Sequence, residues 1–426
     1  MIAHSLSAAN SVKTAQLPRA GGTIVLLAAC ALLGGLLVLA NPNYQWSERR
    51  DLPYGGDFLQ EWVAGDFIFS GLSSAIYDPV QFSGRQHDVS RVGFTWPEHD
   101  FYPAVYPPIY YCLVAPMAAL PYWVAAPTWL ALMLAAYAAG AWLIVRTSSL
   151  DRYAAVRQFS WIFWCTSLLF PPLFMGLVMG QKGTLWFLIV AASWHLWRRD
   201  RTFAAGCVWG LLAVKPTLCF LLPIVMLAHR QWRFSCGVIV GAIALGASTA
   251  LIVPTGLWSD YWEVVLGSTN YQAHGGYRSG WSVSLWSWLR AAGCSREVTL
   301  GLALLVGSLL FAALVRWPCG AREQRLRDPE FLLRVLMTTA LLSPHFYFYD
   351  LVWLLVPIHG LLGTQPRRAI AMVALLWLGV PAVQSFDQGP PLLSVLVLSM
   401  LAHVTWRAAS CGTAFAISNR VLITSQ

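Results

Sequence analysis

Charge is what this 426-residue chain has least of. Asp, Glu, Lys and Arg make up 11% of it, against 57% hydrophobic residues and a mean hydropathy of +0.57. An ordinary soluble domain carries about 25% charged residues, so the balance excludes that class and indicates a polytopic membrane protein. Lysine is scarcest, with Lys13, Lys182 and Lys215 as its only positions. The nine cysteines form no CxxC pair, and Cys30, Cys112, Cys165, Cys207, Cys219 and Cys236 sit in apolar runs. That pattern argues against a disulfide framework and against a zinc site. The chain has no P-loop, no GxGxxG after a strand, no HExxH, no GxSxG and no DxD. The enzymes those signatures mark are therefore excluded. Heptads, low-complexity tracts and internal repeats are also missing. The net charge of +9 does not indicate nucleic acid, because the arginines are scattered through short loops between apolar runs, where they set topology.

What is present is a series of apolar runs. A bilayer-spanning helix needs about 20 apolar residues. Clear spans fall near 22–40, 123–145, 159–179, 183–197, 235–253, 298–316, 369–386 and 391–408, and less regular ones at 106–120, 203–229, 331–346 and 350–363. Several of these are short or broken by proline. Non-helical backbone at membrane depth is tolerated only inside protein or against a cavity, so the breaks point to a site. No small-residue cleavage site follows the first run, so it reads as a retained helix. The expected organisation is a cytoplasmic tail, 1–21, one integral-membrane domain, 22–408, and a cytoplasmic tail, 409–426.

Lys13 and Arg19 place the N-terminus in the cytoplasm and the first loop, 41–105, outside. WRRDR (197–201), HRQWR (229–233), RWPCGAREQRLR (316–327) and QPRR (365–368) are then cytoplasmic. The segments around Lys215, 254–297, His345 and Asp387 are external. Arg146, Arg152 and Arg157 also read as cytoplasmic, which requires one nearby run not to cross. The proline-rich 106–120 run is the candidate for a re-entrant segment.

The first loop collects nine of the 19 acids, between Glu48 and Asp100. Within it, Gly55-Gly56 reads as a turn and Asp57 falls at a helix N-cap position. Helical spacing puts Phe58, Trp62 and Phe69 on one side, as in a helix lying in the membrane interface. Glu61 shares a face with Asp57, whereas Asp66 points the opposite way. Two readings fit Asp57: a helix cap and a reactive carboxylate. Lys182 and Lys215 stand in apolar surroundings, VMGQKGTLW and LLAVKPTLC. Ionisable groups at membrane depth are functional candidates, although a lysine near a helix end also snorkels to the interface. Lys215 precedes a proline at a broken helix, which suits binding a phosphate as a point charge. In LLSPHFYFYDLVWLL (341–355), His345 suits hydrogen bonding to a phosphate, or is a satisfied interfacial histidine. FYPAVYPPIYY (101–111) reads as structural, at the mouth of a groove. The loop 270–290, with His274, Arg278 and Arg290, suits recognition of an acceptor.

These motifs in order resemble a known family. GGDF (55–58), YD (77–78), YPP (106–108), GQ (180–181), RRDR (198–201), GLLAVKP (210–216), HRQWR (229–233) and SPHFYFYD (343–350) are similar to those of GT-C membrane glycosyltransferases of family 87. The likeness runs over about residues 22–360. It implies a GT-C-type bundle of about 11–13 transmembrane or re-entrant helices, with interfacial helices in the first external loop. It further implies a bacterial plasma-membrane enzyme that moves a hexose, most typically mannose, from a polyprenyl-phosphate sugar. The acceptor would be a lipid-linked or envelope glycan on the extracytoplasmic face, and the anomeric centre would invert. By the same resemblance Asp57 is the general base, and Lys215, His345 and Gln181 surround the donor phosphate. Glu61, Lys182, His274, Arg278 and Tyr347 are possible substrate contacts. Gly280-Trp281-Ser282 departs from the Asn-Gln-Ser-like run of many relatives. Neither metal nor other cofactor is expected, and the partners are the donor lipid, a glycolipid or glycan acceptor and the bilayer, with no nucleic acid. A lipid or solute transporter or flippase is the rival reading, since broken helices and buried lysines are its marks too. A non-catalytic envelope scaffold is the other.

The topology is directly testable. Cysteines introduced at Ser73 and Gln388 are expected to react with a membrane-impermeant thiol reagent on whole cells, and one at Gln324 is not. Labelling at Gln324 alone inverts the arrangement.

Overall fold

The computed structural model describes residues 55–97, 101–148, 163–271, 281–316 and 326–379, with Leu33 and Ser160 as isolated positions. Nearly all of the span at 22–40, the end of that at 369–386 (380–386), all of 391–408, and His274, Arg278 and Asp387 lie outside the described residues, as do both tails. The protein is an all-α polytopic membrane protein. Among the described residues, extended backbone pairs at a single antiparallel bridge, Ser282 with Tyr347. Three described helices are long and apolar enough to cross a bilayer: Tyr122–Ser148, Trp232–Ala250 and Arg296–Val315. Shorter apolar helical stretches are Pro108–Ala119, Thr202–Val214, Pro216–Ala228 and Phe348–Leu362.

Side-chain contacts give the directions of these helices. Thr184 meets Met133 at 3.3 Å and His195 meets Thr147 at 2.8 Å, so Gly183–Arg198 runs parallel to Tyr122–Ser148. The chain then turns at Arg199–Arg201 into Thr202–Gly210. Trp209 Nε1 donates to the Cys219 carbonyl at 3.1 Å. Ten residues of straight helix would hold those groups about 15 Å apart, so the chain reverses between them. Thr202–Val214 and Pro216–Ala228 are thus the arms of a helical hairpin. Lys215 is its tip, held extended (φ −131°, ψ 81°) by the proline that follows. A second turn, His229–Gln231, matches the first, with Arg230 (φ 61°) and Asp200 (φ 62°) both left-handed. It leads into Trp232–Ala250.

The basic turns therefore share one end of the bundle. Arg327 pairs with Asp200 there, Arg198 donates to the Arg327 carbonyl at 3.0 Å, and Glu330 holds Arg334 (2.9 Å) and Arg368 (3.4 Å). Lys182, Lys215 and the 343–350 turn lie at the other end. Residues 106–120 begin beside Lys182 and finish at Leu120, whose carbonyl accepts from Trp62 Nε1 at 3.0 Å. They stay against Phe58–Phe69 and never reach the Arg146 end, which removes the parity conflict in the arginine pattern.

Phe58–Phe69 itself departs from expectation. It is not an interfacial helix with one apolar side, because every residue from Phe58 to Phe67 is buried, and only then does Phe69 emerge, 59% exposed. A helix surrounded by protein carries no one-sided stripe, so spacing alone misplaces it.

Close backbone packing joins the hairpin to the next helix. Gly206 and Gly210 of Thr202–Gly210 face Gly237 and Gly241 of Trp232–Ala250. A Cβ on Gly237 would stand 2.2 Å from the Phe203 carbonyl oxygen, and one on Gly206 would stand 2.1 Å from that of Phe234. Both contacts are with backbone, which cannot move aside. This is the small-xxx-small seam of closely packed membrane helices. Gly237→Ala is expected to cost about 1–3 kcal/mol, read as a lower unfolding midpoint in detergent. Gly246→Ala, on the same helix with open space at its Cβ position, is the control and should not lower it. Equal midpoints for both variants would refute the seam.

Candidate active site

The site begins with a glycine turn. Gly55 and Gly56 are left-handed (φ 87° and 52°), and they let the chain press onto Met179 and Gly180. A Cβ on Gly180 would lie 1.9 Å from the Gly55 carbonyl oxygen, so two backbones meet where no side chain fits. The Asp57 N–H donates to the Met179 carbonyl at 3.0 Å, and Phe58 stacks on Trp129 at 5.0 Å. Trp129 in turn donates to the Gly180 carbonyl at 2.9 Å.

Asp57 takes the N-cap position of its helix with helical backbone angles, and its side chain makes no capping bond. Its carboxylate accepts a hydrogen bond from the Gln181 amide instead. One helical turn on, Glu61 forms an ion pair with Lys182, and both side chains are almost fully buried. Lys182 Nζ lies 3.8 Å from the Tyr106 ring centroid and 5.1 Å from that of Tyr110. A desolvated ammonium is held well by such rings. Burial pushes the Glu61 carboxyl up from its ordinary range, and the Lys182 ammonium opposes that shift. Lys182 does not snorkel. Asp66 points away, as the spacing requires, and is held by Arg85 (3.2 Å) and Arg91 (3.3 Å).

Lys215, at the hairpin tip, ion-pairs with Asp350 and lies 5.7 Å from the Phe346 ring. Asp350 also accepts from Trp186 Nε1 at 3.1 Å and from the Tyr347 N–H at 3.4 Å. His345 is within reach of the Lys215 charge. The strand-like 346–347 segment is fastened to the late loop, with the Val283 N–H donating to the Phe346 carbonyl at 2.8 Å. Trp281 meets Phe348 edge-on at 5.6 Å, and Tyr347 stacks with Tyr349 at 5.4 Å. The Trp281-Ser282 departure thus stands at the foot of the site.

Burial divides these residues. Glu61, Gln181, Lys182, Lys215 and Asp350 form a buried floor, each 8% exposed or less. Asp57, Tyr106, His345 and Tyr347 are half-buried and form a rim above it. Most of the expected site residues therefore meet in one place, and His274 and Arg278 are outside the described residues. Trp186 was not expected there, and Asp350, Tyr106 and Tyr110, which lie in the motifs singled out in the sequence, had been given no role at the site. A charge count offers a signal for Asp350: two lysines at membrane depth call for two acids, and Asp350 is the acid that stands in an apolar run.

Residues 104–344, more than half of the chain, match the family model described as glycosyltransferase family 87. The chain belongs to that family. No curated protein and no solved structure matches it. The matched stretch of this glycosyltransferase contains Gln181, Lys182 and Lys215. Asp57 and Glu61 precede it, while His345, Tyr347 and Asp350 follow it.

The Glu61–Lys182 pair makes a sharp test. Removing one partner of a buried pair costs about 3–5 kcal/mol, because the other charge is stranded. Glu61→Gln and Lys182→Met should each lower the unfolding midpoint strongly, and the double variant should recover most of the loss. Simple addition of the two losses would show that the groups do not depend on each other.

Proposed function

We propose that this glycosyltransferase moves a hexose, mannose first among candidates, from a polyprenyl-phosphate carrier onto a hydroxyl of a lipid-linked or envelope glycan. The reaction takes place on the extracytoplasmic side of a bacterial plasma membrane and inverts the anomeric centre. The observation that supports this reading best is the meeting of a half-buried carboxylate, Asp57, with buried ammonium groups and His345, at the end of the bundle opposite the arginine turns. Basic loops favour the cytoplasmic side, which puts this end outside.

The chemistry follows from what attack and departure require. A sugar hydroxyl is a weak acid, so a proton acceptor within hydrogen-bond reach is needed as its oxygen approaches the anomeric carbon. Asp57 fills that role, and the Gln181 amide fixes the direction of its carboxylate. Glu61 is fully buried against Lys182 and is out of reach of an acceptor. As the new bond forms, the bond between the anomeric carbon and the phosphate oxygen breaks, and the phosphate leaves with the electron pair. That developing charge needs cations or hydrogen-bond donors aimed at it. The Lys215 ammonium has three donors, of which Asp350 takes one, and His345 is within range of its charge. No metal enters this scheme. Inversion needs a single displacement, so one base suffices. Tyr347 is assigned to the acceptor, and so, by the resemblance, are His274 and Arg278.

The test is turnover by the purified protein with polyprenyl-phosphate mannose and an envelope glycolipid extract. Release of polyprenyl phosphate with sugar transfer is expected. Asp57→Asn preserves an acceptor for Gln181 and removes the basic carboxylate, so turnover should fall by about 10²–10⁴ with donor binding retained. An Asp57→Asn protein as active as the parent would remove the base. Binding of polyprenyl-phosphate hexoses without any cleavage would favour a carrier.

A further inference from the structure

Outside the site, the Gly256–Tyr271 helix sorts the residues of its first part, 256–266, into distinct environments. At about 100° per residue, the stretch from Gly256 to Leu266 has three flanks. Leu257, Tyr261 and Val264 face the protein, and the first two are buried. Trp258, Trp262, Val265 and Leu266 form a second, apolar flank, on which Trp262 is 53% and Leu266 68% exposed. Ser259, Asp260 and Glu263 form the third.

The chain leading into this helix is membrane surface. Trp232–Ala250 has bilayer length and exposes Ile239, Val240 and Ile243, and the exposed apolar row continues past its end through Leu251 and Ile252. Spanning a bilayer would carry Asp260 and Glu263 into hydrocarbon, which the polar flank forbids. Lying wholly in water would expose a tryptophan and a leucine side by side. We infer that the Gly256–Tyr271 helix lies in the plane of the membrane–water interface at the site end of the bundle. Trp258, Trp262, Val265 and Leu266 enter the lipid, and Ser259, Asp260 and Glu263 stay in water. Tryptophan at the lipid boundary and a separate polar stripe are the two marks of such helices.

The protein-facing flank ties that level to the site. The Tyr261 ring lies 5.9 Å from that of Tyr77, and Tyr77 donates its hydroxyl to the Tyr106 carbonyl at 2.6 Å. Tyr106 covers Lys182. Two aromatic steps thus separate the bilayer surface from the floor of the site, which fixes the site near headgroup depth. This placement concerns a lipid surface and holds whether or not glycosyl transfer is the reaction.

Photocrosslinking of the full chain tests it without an activity readout. Benzoylphenylalanine is placed singly at Trp262, Leu266 and Glu263, and the protein is reconstituted in phosphatidylethanolamine–phosphatidylglycerol vesicles. After irradiation, mass spectrometry is expected to show lipid adducts at 262 and 266 about tenfold above those at 263. If the Trp262 variant fails to accumulate, the more exposed Leu266 position carries the comparison with Glu263. Equal adducts at the polar and apolar positions would overturn the placement. So would crosslinks from 262 and 266 to a second copy of the chain, which would make this flank a protein interface.

Discussion

Two ammonium groups sealed from water, Lys182 and Lys215, set the condition that the rest of the site meets. A buried charge is tolerated only with a partner close by and its remaining donors satisfied. Glu61 answers Lys182 and Asp350 answers Lys215. The four residues come from four segments: the buried Phe58–Phe69 helix, the start of Gly183–Arg198, the hairpin tip and the 343–350 turn. Trp186 joins the two pairs, because it lies one turn beyond Lys182 and donates to Asp350. None of the four segments can shift without stranding a charge. Ion pairs of this kind add little net stability compared with apolar packing, but they specify which segment meets which.

That constraint produces a layered site. The paired charges and Gln181 are the floor, and the half-buried Asp57, Tyr106, His345 and Tyr347 are the rim. A reactive group is positioned well when its supports are themselves locked by packing and hydrogen bonds. Asp57, the proposed base, has that support on both sides, with its N–H on Met179 and its carboxylate on Gln181. Asp57 and Glu61 share a helix face one turn apart, yet burial and partners set them apart. The first is reachable from outside, and the second is held beneath a tyrosine roof.

Much of this was legible in the sequence, for identifiable reasons. Scarcity made Lys182 and Lys215 conspicuous, and proline after Lys215 marked the break that turns out to be a hairpin tip. Arginine placement gave consistent ends to most spans, since topology is written in local charge. What failed to show was pairing. A sequence gives no distance between residues 135 apart, so Asp350 read as the start of a helix and not as the counter-ion of Lys215. The burial of Phe58–Phe69 was hidden for a related reason, because the 106–120 segment that covers one of its sides does so without crossing the membrane. Asp57, read either as a cap or as a reactive group, sits at the cap position without capping, a difference of backbone angle that composition does not record.

The hairpin shows how a packing rule far from the chemistry controls it. Lys215 is placed by two short helices that neither span the bilayer alone nor meet the usual length for independent stability. Their seat is the glycine seam with Trp232–Ala250, where backbone oxygens come so close that even a methyl group is refused. The seam sets how far the first arm rises, and the fully buried Trp209, bonded across to the Cys219 carbonyl, fixes the second arm against the first. The tip height follows, and with it the position of the ammonium relative to Asp350 and His345. A residue too costly to bury without its partner is thereby held at one depth by atoms that carry no charge at all.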